Sequence, residues 1–225
     1  MRYILYTCVF LFCSAFRLEK QHYRVECGQS AQWVDGVALC NVYDNDVFLT
    51  LSDAPNYKEY TSFRLKMQNI GSDTLLLSPQ KISLIRYFEN RIDTIPIVDP
   101  EVCIRASNEA IFQSEKDIEI IEKSKNTQNS VVSIVKIIPG ANKINTNSSN
   151  SNVIYQEKLA SAKRKLNVAQ NDKKYWETNS LRTNTIAPLS FVDNKIYFKP
   201  EGCLKALVHI ETTIRSYDFL IIAAN

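Results

Sequence analysis

The chain has 225 residues, 45% of them apolar, with 27 Lys+Arg against 24 Asp+Glu, six Cys and two His. This length holds one large domain or two small ones, and the apolar fraction excludes wholesale disorder. A formal net charge of +3 excludes the broad basic field of a nucleic-acid binder, and two His thin the options for acid–base and metal chemistry.

The first element is an address. Met1-Arg2 is followed by the uncharged run Tyr3 to Phe12 and then by Cys13-Ser14-Ala15. A positive start, a short apolar run and small residues at the cleavage positions predict a secretory signal peptide over 1–15, cut after Ala15. Cys13 offers the alternative of a lipid anchor, although Phe12 before it is larger than such a signal favours. The expected location is extracytoplasmic, periplasmic or secreted, with membrane attachment only if Cys13 is lipidated.

Residues 16–30 are polar and mixed and read as a linker. From Trp33 onward apolar residues interleave with small and polar ones. Val47 to Leu51 follows the turn Asp44-Asn45-Asp46, and Asp53-Ala54-Pro55-Asn56 is a turn cluster. Phe63, Leu65 and Met67 alternate with charged residues at period two, which predicts a half-buried strand. Asn69 to Asp73 turns into Thr74 to Leu77, Ile82 to Tyr87 is another strand, and Ile95-Pro96 to Pro100 breaks the run. Strands return at Thr185–Leu189, Asn194–Phe198, Leu204–Glu211 and Tyr217–Ile221. Short strands at 8–12-residue spacing are the signature of a sandwich or barrel.

The middle is helical in pattern. Ile111, Ile118 and Ile121 share one face within 107–125, and Ser114 stands where it would cap a turn ahead of Asp117. Val131 to Ile138 is apolar and β-branched, and periodicity leaves it open between strand and buried helix. Asn142 to Asn152 is low in complexity and reads as a flexible loop. Val153 to Thr178 carries Tyr155, Leu159, Ala162, Leu166, Ala169 and Trp176 at four-then-three spacing, an apolar stripe that must pack on the first helix, a sheet face or a partner chain. The expected architecture is mainly β: one antiparallel sandwich over 31–225, with strands in 31–103 and 181–225, interrupted by a helical hairpin over 104–180.

After processing, Cys27, Cys40, Cys103 and Cys203 remain, and four Cys in an exported chain allow three pairings. None forms a CxxC pair, so neither a redox nor a zinc motif is expected. A bridge between early and late strands would close a long loop, worth about 4 kcal/mol.

Two stretches carry a resemblance. FRLKMQNIGSDTLLLSPQKISL is similar to an early hairpin of bacterial extracytoplasmic immunoglobulin-like modules, in which a strand ends in Asn, turns and resumes before Pro. LRTNTIAPLSFVDNKIYFKP and LKALVHIETTIRSYDFLI look like their closing strands. Val192-Asp193-Asn194 stands where such modules usually carry a Gly, and Trp33 precedes Cys40, so the Cys–Trp–Cys spacing of antibody domains is missing. The resemblance implies an immunoglobulin-like sandwich and no activity.

Chemistry is thin. GxSxG, HExxH and Gly-rich phosphate loops do not occur. A Ser-His-Asp triad has only His209 to draw on, and a strand position reads as structural. Asp44, Asp46 and Asp53 read as turn carboxylates in preference to calcium ligands. Lys163-Arg164-Lys165 with Lys173-Lys174 reads as the solvated face of a helix, because Glu157, Asp172 and Glu177 dilute it. Tyr57, Tyr60, Tyr87 and Tyr197 read as half-buried strand residues in preference to a glycan or protein contact. No catalytic residue, cofactor or metal is expected. The leading expectation is a non-enzymatic envelope protein that meets an unidentified protein partner through Tyr155, Leu159, Leu166 and Trp176. The runner-up is an envelope hydrolase, or a small-ligand or glycan-binding protein, with a cleft between hairpin and sandwich.

Overall fold

A computed structural model describes residues 22–28, 31–137, 148–199 and 202–224. The proposed signal peptide and Cys13 lie outside the described residues. The chain divides into a β unit, which runs to Ile97 and resumes at Asn184, and a second unit, Val98–Thr183.

In the β unit, period-two alternation builds two five-stranded sheets. One contains β1 (His22–Val25), β12 (Ser216–Ala224), β11 (Lys205–Glu211), β7 (Ile82–Tyr87) and β8 (Ile92–Pro96), in that spatial order. The other contains β10 (Phe191–Phe198), β5 (Tyr60–Asn69), β4 (Val47–Tyr57), β3 (Val37–Tyr43) and β2 (Ala31–Val34). Every neighbouring pair is antiparallel. A small ribbon pairs β6 (Leu75–Leu77) with β9 (Asn184–Ile186).

The inner faces meet in one core. Val47, Leu49 and Leu51 of β4 and Phe63, Leu65 and Met67 of β5 are fully buried, as are Leu84, Val208, Ile210 and Ile221 of the opposite sheet. Each such side chain contributes about 1.5–3 kcal/mol relative to exposure. The sheets are pinned across the core at two places. The Tyr217 hydroxyl donates to Asp44 Oδ2 at 2.5 Å, and the Val25 N–H donates to Asp53 Oδ1 at 2.8 Å.

The strand-ending Asn69 is fully buried and saturated. Its amide donates to the carbonyls of Asp73 and Ile186, and its oxygen accepts the Gly71 N–H. A buried amide with every bond made fixes the turn that follows. Gly71 is required there, since a Cβ would stand 2.8 Å from Asp46 Oδ1.

Four expectations change. Residues 16–30 are not all linker, because His22–Val25 pairs along β12 and closes the first sheet. Ile95-Pro96 does not end the β run: Ile92–Pro96 is an edge strand, where a proline costs no ladder bond. The helices are also longer than periodicity suggested. α1 spans Pro100–Ile137, so 131–137 is helical, and α2 spans Ser148–Asn179, so 148–152 belongs to a helix and not to a loop. Finally, Ser114 is no cap; it sits in mid-helix and donates back to the Ala110 carbonyl. The cap is Asp99, whose Oδ1 accepts the Glu101 N–H at 2.9 Å ahead of Pro100 in the first turn.

The two helices pair over their described length. Glu101 bonds Arg182 at one end and Lys125 lies over Tyr155 at the other, which sets them antiparallel. α1 offers Ile104, Ser107, Ile111, Ser114, Ile118 and Ile121, and α2 offers Tyr155, Leu159, Ala162, Leu166, Ala169 and Trp176, both in heptad spacing. Ser107, Ser114, Ala162 and Ala169 are all buried, and such small residues let the helices approach closely. Among the described residues no helix is long and apolar enough to cross a membrane.

Of the four candidate cysteines, Cys27 and Cys40 form a disulfide; Cys103 and Cys203 are thiols. Of the three pairings left open by the sequence, none that links early to late strands is formed. The bond instead joins the crossover after β1 to β3, over a separation of 13 residues. A loop of that size is worth about 3 kcal/mol. Reduction is therefore expected to lower the melting temperature of the β unit by roughly 6–12 °C, read by calorimetry with and without a thiol reductant. An unchanged melting temperature would show that the bond adds nothing.

Candidate functional site

The residues singled out from the sequence do not converge. Tyr155, Leu159, Leu166 and Trp176 are turned toward α1, and Trp176 is 3% exposed. Tyr155, Leu159 and Leu166 are half-buried, so most of the stripe is taken up inside the hairpin. Lys163, Arg164 and Lys165 are exposed, Lys174 likewise, and Lys173 lies 3.9 Å from Glu177, as a solvated helix face requires.

Asp44 is a turn cap. Its Oδ1 accepts the N–H groups of Asp46 and Val47, and its Oδ2 accepts Tyr217. Both oxygens are committed, and among the described residues no three His, Cys, Asp or Glu side chains gather as metal ligands. Burial pushes the Asp44 carboxyl up, but the Tyr217 hydroxyl and the two N–H groups outweigh it and hold the group below its ordinary value. A depressed carboxylate stabilises the fold above the unfolded-state value, and that stability is lost as pH falls through the folded-state one. Asp53 has the opposite sign, since burial outweighs the Val25 N–H and Arg24 and raises it. Asp44→Asn is expected to unfold at lower urea than the parent at pH 7. It is also expected to lose less of its stability on going to about pH 3. Equal losses in the two proteins would remove Asp44 from the pH response.

His209 stands in a row of suggestive residue types. It is level with Asp218 of β12 on one side and Ser83 of β7 on the other, and its Nδ1 lies 2.6 Å from Asp218 Oδ1. The row lies across three paired strands. It reads as a cross-strand hydrogen-bonded pair.

Cys203 is fully buried beneath Tyr23, whose hydroxyl donates to the Cys203 carbonyl at 3.0 Å. Burial pushes the thiol up, away from the reactive thiolate. Near it the Arg86 guanidinium grips Asp93 with two bonds of 2.7 and 2.9 Å, and Arg86 and Arg91 both lie against the Phe88 ring. An open pocket of about 430 Å³ beside this ring is lined by Tyr87, Phe88, Glu89, Asn90, Arg91, Gly202 and Leu204.

The strongest surface is one that sequence reading missed. On the outer face of the second sheet, register aligns Tyr43, Phe48, Gln68 and Phe191 across β3, β4, β5 and β10. Tyr43 is 73% exposed and Phe191 62%. At 4.7–4.9 Å per strand this row spans roughly 14 Å. The next row holds Asn41, Thr50, Lys66 and Asp193. Asn41 accepts from Thr50 at 2.8 Å and donates to Gln32 at 3.2 Å. Arg64 grips Asp193 with two 2.7 Å bonds, which raise the guanidinium further into its charged range. Lys66 Nζ stands 5.2 Å from the Phe191 ring centre. The signal was present in part: if Leu65 and Met67 point inward, Arg64, Lys66 and Gln68 point outward. The glycan-facing tyrosines considered from sequence are not on this row, and Tyr197 is 1% exposed.

Compared with protein-family models, with curated proteins and with solved structures, the chain matches none.

Proposed function

We propose that the protein is an exported, non-catalytic binding module of the cell envelope, built as an immunoglobulin-like sandwich with a helical hairpin inserted between its strands. Strand order supports the immunoglobulin-like reading. With β4, β5 and β10 as strands A, B and E, and β7, β11 and β12 as C, F and G, the sheets run A-B-E and C-F-G. The hairpin then occupies the connection between β8 and β9. The disulfide supports an oxidising compartment, and the apolar start of the chain supports export.

The single observation that carries the binding function is the cross-strand row of exposed Tyr43, half-buried Phe48 and exposed Phe191 set on a hydrogen-bonded polar face. Exposed aromatics on a rigid platform are the side chains most enriched where binding energy is concentrated. The partner expected from sequence was a protein on the α2 stripe; the sheet face replaces that stripe as the contact surface. The test is retention of purified protein on envelope fractions. Tyr43→Ala/Phe191→Ala is expected to abolish retention while the melting temperature holds. Equal retention of both proteins would overturn the reading.

A further inference from the structure

Two polar groups on this face are left open by the protein itself. Gln68 lies between Phe48 and Phe191 in the cross-strand row, and among the described residues nothing hydrogen-bonds its amide. Lys66 has no carboxylate within ion-pair distance among the described residues; its ammonium rests over Phe191. Arg64 and Lys66 on this face stand against one carboxylate, Asp193, which Arg64 engages. The face thus offers flat aromatic surface, an open amide and an excess of positive charge.

We infer that this face takes an anionic polysaccharide of the uronic-acid class, an inference that rests on the binding reading above. The C–H faces of pyranose rings lie on Tyr43, Phe48 and Phe191. Ring hydroxyls exchange bonds with the Gln68 amide, and a sugar carboxylate pairs with Lys66. An acidic peptide fits less well. β3, β4 and β5 are interior strands whose backbone groups are consumed within the sheet, so an extended chain lying over Tyr43, Phe48 and Gln68 finds no backbone to pair with, and only β10, beside Phe191, has an open edge. The open pocket beside Phe88, of the kind a side-chain anchor fills, lies on other elements than this face.

The test is affinity electrophoresis of the full mature chain in gels cast with polygalacturonate, neutral dextran or poly-glutamate. Parallel lanes carry Lys66→Glu, Tyr43→Ala/Phe191→Ala and the surface control Leu207→Ala. Retardation by polygalacturonate alone is expected, weakened by salt. Loss of roughly tenfold in apparent affinity is expected for Lys66→Glu and more for the aromatic pair, with none for the control. Retardation by dextran or poly-glutamate that vanishes in the aromatic variant would overturn the polyuronate assignment and leave the binding face standing. Polygalacturonate retardation that is equal in all variants would overturn the assignment to this face. Absence of retardation in every gel overturns the polyuronate inference, and the envelope-retention test then decides separately whether the face binds at all.

Discussion

Trp176→Ala is expected to destabilise the helical hairpin by about 3–5 kcal/mol, the usual cost of removing a buried tryptophan. Trp176 is 3% exposed and stands edge-on to Tyr175 with ring centres 6.0 Å apart. The other buried seam residues are Ile104, Ser107, Ser114, Ala162 and Ala169, so the indole is the largest buried group of the seam. Helicity at 222 nm should melt on the order of 10–20 °C lower than in the parent. A shift within two or three degrees would mean that the α1–α2 seam is not what holds the hairpin.

Phe63→Ala is expected to have a comparable effect on the other unit. Phe63 is fully buried on β5, with its ring 6.4 Å from that of Phe198 on the paired strand β10. Truncation opens a cavity against both sheets and costs about 3–5 kcal/mol. Near-ultraviolet circular dichroism follows the sandwich aromatics and should lose its signal at lower temperature. Phe63→Leu keeps most of the volume and should recover more than half of the loss. A Leu variant as unstable as the Ala variant would argue against a packing origin.

The β fold was legible where alternation is clean. Phe63, Leu65 and Met67 read as inward and are inward. β8 was obscured by Pro96, which is disfavoured in a central strand and tolerated at an edge. The start of α1 was readable in Asp99-Pro100-Glu101, a cap followed by proline, but the same residues also read as a strand breaker. The α2 stripe was evident from spacing, while its partner was not. Ser107 and Ser114, seven residues apart, were the overlooked sign of a close seam with Ala162 and Ala169. Disulfide pairing was beyond reach, because it depends on where β1 crosses between the sheets. The aromatic row was hidden for a similar reason: residues 43, 48, 68 and 191 become neighbours only once strand register is known.

The central claim is that one sandwich is interrupted by a hairpin it does not need for folding. The direct measurement is calorimetric unfolding of a chain in which Val98–Thr183 is replaced by a short Gly/Ser linker. The account predicts a single cooperative transition with the Cys27–Cys40 bond still formed. Loss of any cooperative transition in that chain would contradict it.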